Sequence, residues 1–275
     1  MVSVRLKMST LIFSPNVTKR KLGIKSLADI EILRAGGREL ARILETLALA
    51  TQPGVSTRSL DLLARDLIRR AHGEPAFLNY RPAGAPSPFP AALCVSVNDE
   101  VVHGIPGDRL LAEGDIVGLD LGLKYQGLFT DSAVTVAVGE ISPAARALLD
   151  VTRVALAAGV AVARAGAATG DIGYAVAAAV DPAAGYDLVR ELGGHGVGFR
   201  VHEPPDIPNF GERGQGMKLG AGMVIAIEPM ITIGNAAIIT ADDGWTVKTK
   251  KGGLSAHFEH TVLLTDGKPE ILTTA

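Results

Sequence analysis

The chain has 275 residues, with 27 Lys plus Arg against 29 Asp plus Glu, a formal net charge of −2; 47% of the residues are apolar and 20% charged. Such a chain can bury a large core, and its near-neutral charge argues against a general nucleic-acid binder held by phosphate contacts. The single cysteine, Cys94, excludes an intrachain disulfide, a thiolate zinc finger and an iron–sulfur cluster, and the 32 glycines follow no every-third-residue period.

Residues 1–25 read as a basic arm, with Arg5, Lys7, Lys19, Arg20, Lys21 and Lys25 and no acid before Asp29. The expectation is a solvated, flexible segment, with contact to an anionic partner such as RNA as the alternative. It has no apolar core of signal-peptide type, and no uncharged apolar run of about 18 residues occurs anywhere, so no spanning helix is expected. Ser26 caps a helix whose apolar side is Ile30, Leu33, Leu40, Ile43, Leu44 and Leu47, ended by Pro53-Gly54. Ser56 or Thr57 caps a second helix, stopped at Gly73. A Pro/Gly-rich loop, 81–90, precedes strands at 93–97, 116–124 and 128–138. Ser142-Pro143 starts a third helix running to about Ala165, and a fourth starts near Asp171 and ends around Pro182 to Gly185. A strand over 186–192 leads into a glycine-rich loop over 193–198. Strands over 223–231, 236–239, 245–249 and 256–264 complete the chain. The order, helices then strands twice over, predicts an α+β architecture of two similar halves joined near 140–142, packed as one unit over 26–275.

The first chemical signal is the hairpin around Tyr125. Asp120 alternates with Val117, Leu119, Leu121 and Leu123 and so points away from the apolar face. A turn centred on Tyr125-Gln126 would set Asp120 directly opposite Asp131, with Gly118 and Gly122 leaving space above them. Like charges so placed destabilise a sheet unless something compensates, and a divalent cation does so most simply. His195 stands in a run of glycines, Glu228 enters the apolar run Val224-Ile-Ala-Ile, and Glu259 enters Val262-Leu-Leu. Each is weak alone. Together, four carboxylates and one imidazole carry about four negative charges, which two divalent ions plus a hydroxide would roughly balance. An oxygen-rich set with one nitrogen suits Mn, Fe or Co, and two ions about 3.5–4 Å apart can activate a water and polarise a carbonyl.

These residues resemble the type I methionine aminopeptidases. The shared motifs are Ser96-Val-Asn98 with His103-Gly-Ile-Pro106, the Asp120/Asp131 hairpin, Gly194-His195-Gly196-Val-Gly198 followed by His202-Glu-Pro, Ile227-Glu228-Pro-Met230, Asp243-Gly-Trp245-Thr-Val-Lys-Thr-Lys250 and Glu259-His260-Thr261. The resemblance runs from about Ser26 to the end and implies the pita-bread fold, two pseudo-symmetric halves of antiparallel sheet flanked by helices. It implies two divalent ions, Co, Mn, Fe or Zn, bridged by Asp131 and Glu259. Asp120 would complete one shell, His195 and Glu228 the other. Glu228 would take a proton from a metal-bridging water or hydroxide, His202 would support the substrate carbonyl, and His103 would hold the nitrogen side of the scissile bond. Tyr80, Phe89, Cys94 and Trp245, with Phe77 beside them, would form an apolar slot for a thioether, each sulfur–aromatic contact adding about 0.3–1.5 kcal/mol.

The sequence departs from the family at several points. Residues 81–88 look like an insertion beside the slot, Val201 stands where Phe is common, and Gly193 stands where Cys is common. Only 25 residues separate His202 from Glu228, too few for the helical insertion of type II enzymes. The expected function is removal of the initiator methionine from nascent polypeptides with a small second residue, by a cytoplasmic monomer whose basic arm contacts the ribosome. One alternative is an Xaa-Pro aminopeptidase or dipeptidase of the same fold, though such relatives carry a large N-terminal domain. The other is a non-catalytic binding module, though such modules lose ligands and none is missing here.

Overall fold

A computed structural model describes residues 23–85 and 87–275. Of the basic arm, residues 1–22 lie outside the described residues. Four helices are α1 (Leu27–Ala50), α2 (Thr57–Arg70), α3 (Pro143–Val162) and α4 (Thr169–Ala178). Ser26 caps α1 reciprocally: its hydroxyl accepts the Asp29 N–H at 3.1 Å, and the Asp29 carboxylate accepts the Ser26 N–H at 2.9 Å. Ser56 and Ser142 cap α2 and α3 in one direction only, their hydroxyls accepting the Ser59 and Ala145 N–H groups, the latter helix with Pro143 in its first turn.

The first half is a sheet built on β4 (Ile116–Tyr125), which pairs antiparallel with β2 (Leu93–Val97), β5 (Leu128–Ala137) and the short β1 (Glu74–Pro75). Helices α1 and α2 pack on it through Leu40, Leu44, Leu47, Leu60 and Ile68, against Leu93, Val95, Leu119 and Leu121. The short β3 (Glu100–Val102) pairs instead with β12 (Val247–Thr249), itself paired with β11 (Ile238–Thr240). In the second half, β15 (Glu270–Ile271), β14 (His260–Leu263), β9 (Val224–Ile227), β7 (Gly193–Gly196) and β8 (Glu203–Pro208) form one sheet in that order. A second group there is β13 (Ser255–His257), β10 (Met230–Ile233) and β6 (Tyr186–Leu188). Helices α3 and α4 cover these strands through Leu148, Leu156, Ile172 and Val176, against Ile225, Ile227 and Ile231. Two layered halves of antiparallel sheet and helix thus face each other, as the expected α+β pita-bread fold requires.

The halves meet along β5 and the β13–β14 break. Glu259 N–H donates to the Ala133 carbonyl at 2.9 Å, and Ser132 Oγ donates to the Glu259 carbonyl at 2.8 Å. Thr261 Oγ1 accepts from Asp131 N–H at 2.9 Å and donates to the Asp131 carbonyl at 2.7 Å. Thr135 Oγ1 does the same for His257. Threonine hydroxyls, donor and acceptor at once, thereby continue the backbone pairing across the seam.

Several expectations need correction. Residues 193–198 do not form a loop: Gly193–Gly196 is strand β7, inserted between β8 and β9. A Cβ on Gly194 would lie 2.2 Å from the Ala226 carbonyl oxygen, so glycine here serves close strand approach rather than a turn. β8, Glu203–Pro208, was not expected, because its prolines mask an edge strand. The expected strands over 223–231 and 256–264 are each broken, at Glu228-Pro229 and at Phe258-Glu259. The fourth helix ends at Ala178, a short 3₁₀ turn taking up Pro182–Ala184.

Gly37 on α1 lets that helix lie against the C-terminal strand, where an added Cβ would stand 2.2 Å from the Leu272 carbonyl oxygen. Gly37→Ala should therefore cost about 1–3 kcal/mol in urea unfolding, as overpacking against backbone does. Gly107→Ala, with nothing within 4 Å of its Cβ, should stay within about 0.5 kcal/mol of the parent.

Candidate metal centre and apolar slot

The β4–β5 hairpin turns on Gln126 (φ 47°) and Gly127 (φ 86°), with Tyr125 paired to Leu128. Two left-handed residues make the tight turn that suits strand twist. This is one residue later than the expected centre, so the register changes: Asp120 faces Ala133, and Asp131 faces Gly122. The two aspartates are diagonal rather than opposite. They keep the same face because the shift is two residues, one full side-chain period. The space over Gly122 is also not free. A Cβ there would meet Ala76 at 2.7 Å and the Phe77 ring at 2.8 Å.

The seam brings Glu259 beside this hairpin, while β7 and β9 deliver His195 and Glu228. Ligand atoms of Asp120, Asp131 and Glu259 all lie within 4.8 Å of one another, as do those of His195, Glu228 and Glu259. Two overlapping triads therefore share one carboxylate. His195 Nε2 is 3.4 Å from Glu228 Oε1 and 4.0 Å from Asp131 Oδ2. Its other ring nitrogen, Nδ1, lies 3.0 Å from the Gly196 carbonyl, which fixes the ring and turns Nε2 inward. The buried Asn209 amide donates to the Glu228 carbonyl at 3.0 Å and holds the strand break that turns Glu228 inward.

Electrostatics test whether cations fit. Asp120 Oδ1, Asp131 Oδ1 and Glu259 Oε1 are buried with no hydrogen-bond partner. Burial pushes the Asp120 carboxyl up to about 7, with Glu228 adding to the rise and His257 opposing it. Asp131 is driven well above the carboxylate range by burial first and by Asp120 and Glu228 second, and Glu259 by burial first and by Asp131, Glu228 and Asp120 second. For Glu228, burial acts upward but is outweighed by His257 and then His195, and its carboxyl sits below the usual range. Three orphaned acceptors converging on one point, with an imidazole and a second carboxylate beside them, fit hard or borderline divalent ions.

Sequence reasoning missed His257. Its Nε2 stands 3.4 Å from Glu228 Oε2, at ion-pair distance without hydrogen-bond geometry. Its signal was present, since His257 and Glu259 are two residues apart beside an apolar strand.

A cavity of about 320 Å³ opens beside the acids, lined by Phe77, Tyr80, Phe89, Cys94, His103, His202 and Trp245 among others. Cys94 is the cross-strand neighbour of Asp120, which sets the slot's floor next to the carboxylates. Burial, and then the Asp120 charge, hold the Cys94 thiol well above its usual range, so it is protonated and apolar in character. Phe89 and Trp245 meet edge to face at 5.3 Å. Loop 81–88 closes at its base on mutual bonds, Phe89 N–H to the Tyr80 carbonyl at 2.9 Å and Asn79 N–H to the Phe89 carbonyl at 2.9 Å. Tyr80 and Phe89 therefore stay at the slot despite the insertion. Val201 is 4% exposed and packs with Phe77 and Phe89. Trp245 is presented by an Asp243 turn, whose carboxylate accepts the N–H groups of Trp245 and Thr246 at 2.8 Å each. Met230 and Leu192, not anticipated, complete the apolar lining.

His103 and His202 flank the slot. His103 has φ 59°, a conformation that costs a non-glycine residue energy and aims the ring at the cavity, 6.2 Å from Trp245. Burial holds its imidazole below the usual range. His202 stands at the mouth, open to solvent on one side yet crowded by protein on the others. Burial and the neighbouring His195 bring it down to about 3, so it is neutral. Its Nδ1 is 2.8 Å from the Tyr80 hydroxyl.

Comparison with known proteins agrees with this geometry. The pattern of metallopeptidase family M24 matches residues 31–266. The methionine aminopeptidase of Aquifex aeolicus is 44% identical over 253 residues, 90% of this chain and 97% of that protein. Methionine aminopeptidase 1 of Bacillus subtilis is 41% identical over 249 residues, covering 90% and 98%. The crystal structure of the Thermotoga maritima methionine aminopeptidase superposes with a TM-score of 0.87 at 38% identity, covering 92% of this chain and 99% of that one. The Pyrococcus furiosus prolidase superposes at 0.72 with 23% identity, covering 68% of its own chain, and shows a shared fold only.

The raised carboxyls give the metal-free protein a pH dependence of defined sign. Groups with folded values above their unfolded ones stabilise at low pH, and that stability is lost as pH rises through the folded values. His103, His202 and His260, held low by burial, act only below their unfolded value of about 6.5. Between about pH 6.5, where the histidines cease to act, and about 7.5, through the Asp120 value of about 7, the metal-free protein should therefore lose thermal stability. Glu259→Gln should reduce that loss, and saturating Mn or Co should abolish it; calorimetry at both pH values checks this.

Proposed function

The chain belongs to metallopeptidase family M24, and we propose that Asp120, Asp131, His195, Glu228 and Glu259 hold two divalent ions beside a slot that receives a methionine side chain. It is a metal-dependent aminopeptidase that removes N-terminal methionine. The Xaa-Pro alternative is not favoured, since this chain matches the methionine enzymes at 38–44% identity and over nearly their whole length. The observation that carries the site assignment is the pair of overlapping triads sharing Glu259 and abutting an apolar cavity.

Bound divalent ions supply Lewis-acid polarisation of the scissile carbonyl and a more acidic attacking water. This chain's residues do the rest. The Glu228 carboxyl, held below its usual range by His257 and His195, is ionised at neutral pH and accepts the proton of the attacking water. We assign the 2.8 Å contact between the Tyr80 hydroxyl and His202 Nδ1 as the hydroxyl donating, which leaves Nε2–H as the donor for the substrate carbonyl oxygen. A neutral imidazole keeps its proton while donating, and burial maintains that state. His103 faces the nitrogen side of the scissile bond. Phe77, Tyr80, Phe89, Cys94 and Trp245 bury the thioether and exclude water from it.

The substrates are the N-termini of newly made proteins with a small second residue. On this reading the reaction is cytoplasmic, the enzyme is a monomer, and the basic segment of the sequence before Ile24 contacts the ribosome. Among the described residues, no helix is long and apolar enough to cross a membrane.

Release of Met from Met-Ala peptides supplied with Mn, Fe or Co should exceed that from Met-Lys peptides by about tenfold or more, and Xaa-Pro peptides should be poor substrates. Equal rates on both Met peptides would overturn the small-residue preference. Tyr80→Phe, which removes one hydroxyl and keeps the ring, should lower kcat about tenfold or more with KM little changed. An unchanged kcat would show that Tyr80 does not set the His202 donor.

A further inference from the structure

Lys25 belongs by sequence to the basic N-terminal run, yet it is 4% exposed, which corrects the expectation of a solvated side chain. Its Nζ donates to the Glu203 carboxylate and, at 2.8 Å, to the Gly23 carbonyl. The ammonium also stands 4.4 Å from the centre of the Phe199 ring. Its stem passes over Gly198 (φ 132°) so closely that a Cβ there would lie 2.2 Å from Lys25 Cε. The second Glu203 oxygen accepts the backbone N–H groups of Phe199 and Arg200, both at 3.1 Å. One carboxylate thus closes the turn over 198–203 from within and receives the ammonium from the N-terminal side. Lys25 is itself anchored, its N–H donating to the Gly222 carbonyl at 2.8 Å while Ile24 pairs with Met223.

The turn so held connects β7, which carries His195, to His202, and His202 immediately precedes Glu203. An ion pair this buried gains little net stability, because desolvation offsets its attraction and apolar side chains would pack as well. What it supplies is a fixed geometry, with a charged, directional contact at each end of the turn.

We propose that Lys25 is a positioning residue: paired with Glu203, it holds turn 198–203 in the shape that aims His202 at the substrate carbonyl. This rests on the reading of His202 given above. Lys25→Met should lower kcat on a Met-Ala peptide about tenfold, as misplacement from outside the reacting centre does, with KM within about twofold. Because that variant strands Glu203 without its cation and can lose the fold, Lys25→Met/Glu203→Gln provides a neutral pair whose amide oxygen still accepts the two backbone N–H groups. In it, kcat should fall similarly, metal uptake should be unchanged, and hydrogen exchange of the Phe199 and Arg200 amides should accelerate. Added to His202→Ala, Lys25→Met should cause no further loss of kcat, since both act through one group. A double variant with parental kcat, or additive losses in the His202→Ala background, overturns the proposal while the parent enzyme remains active. A parent enzyme that releases no Met under any of the three metals overturns the reading of the site itself.

Discussion

Four carboxylates, Asp120, Asp131, Glu228 and Glu259, are brought together in one buried volume, and the rest of the structure is arranged around that constraint. Left to themselves they repel and lose hydration: burial and like charges push the Asp131 and Glu259 carboxyls up, while two imidazoles set against Glu228 bring its carboxyl down. The asymmetry matters. Raised acids beside a lowered one make a donor set in which, on the proposed assignment, cations compete with protons, so its affinity for metal rises with pH.

The acids can be held at such short range only because the backbone beneath them cannot relax. Asp131 and Glu259 come from opposite halves of the fold, and the hydroxyls of Thr261, Ser132 and Thr135 tie each half to the main chain of the other. Each hydroxyl replaces a ladder bond where the two sheets do not share a register. Glu228 and Glu259 both stand at strand breaks, where β9 and β13 stop. A carboxylate in an unbroken apolar strand would have to face the core or the sheet's far side. A break frees it to turn into the gap between the halves.

How much of this was legible in the sequence follows from how local each signal is. Asp120, Asp131, Glu228 and Glu259 are each weak signals alone and stand out in combination, and the caps at Ser26, Ser56 and Ser142 are written in adjacent residues. The hairpin register was misjudged by two residues because Gln126, not Tyr125, takes the first left-handed position, a choice that composition does not announce. β7 read as a loop because glycine run and tight strand packing look alike until Ala226 is seen against Gly194. His257 was legible by its spacing from Glu259 but carried no motif of its own. Lys25 was misread most fully. A lysine among lysines says solvent, and its partner lies 178 positions further along the chain.

Selection of substrate and its chemistry share residues here, and this limits how either can change. β4 carries Asp120 beside Cys94, so enlarging the slot's floor moves the strand that supplies a candidate ligand. Tyr80 lines the slot with its ring and contacts His202 with its hydroxyl, so a side chain that fills the slot presses on the residue proposed to orient the carbonyl donor. Val201 packs into the slot's aromatic wall directly before His202. A larger residue at 201 would push on Phe77 and Phe89, and on the proposed reading the adjoining turn is held from the other side by Glu203 and Lys25. On the proposed reading, such a slot meets the substrate side chain beside the same turn that carries the carbonyl donor, so changes on its His202 side should reach turnover as well as binding.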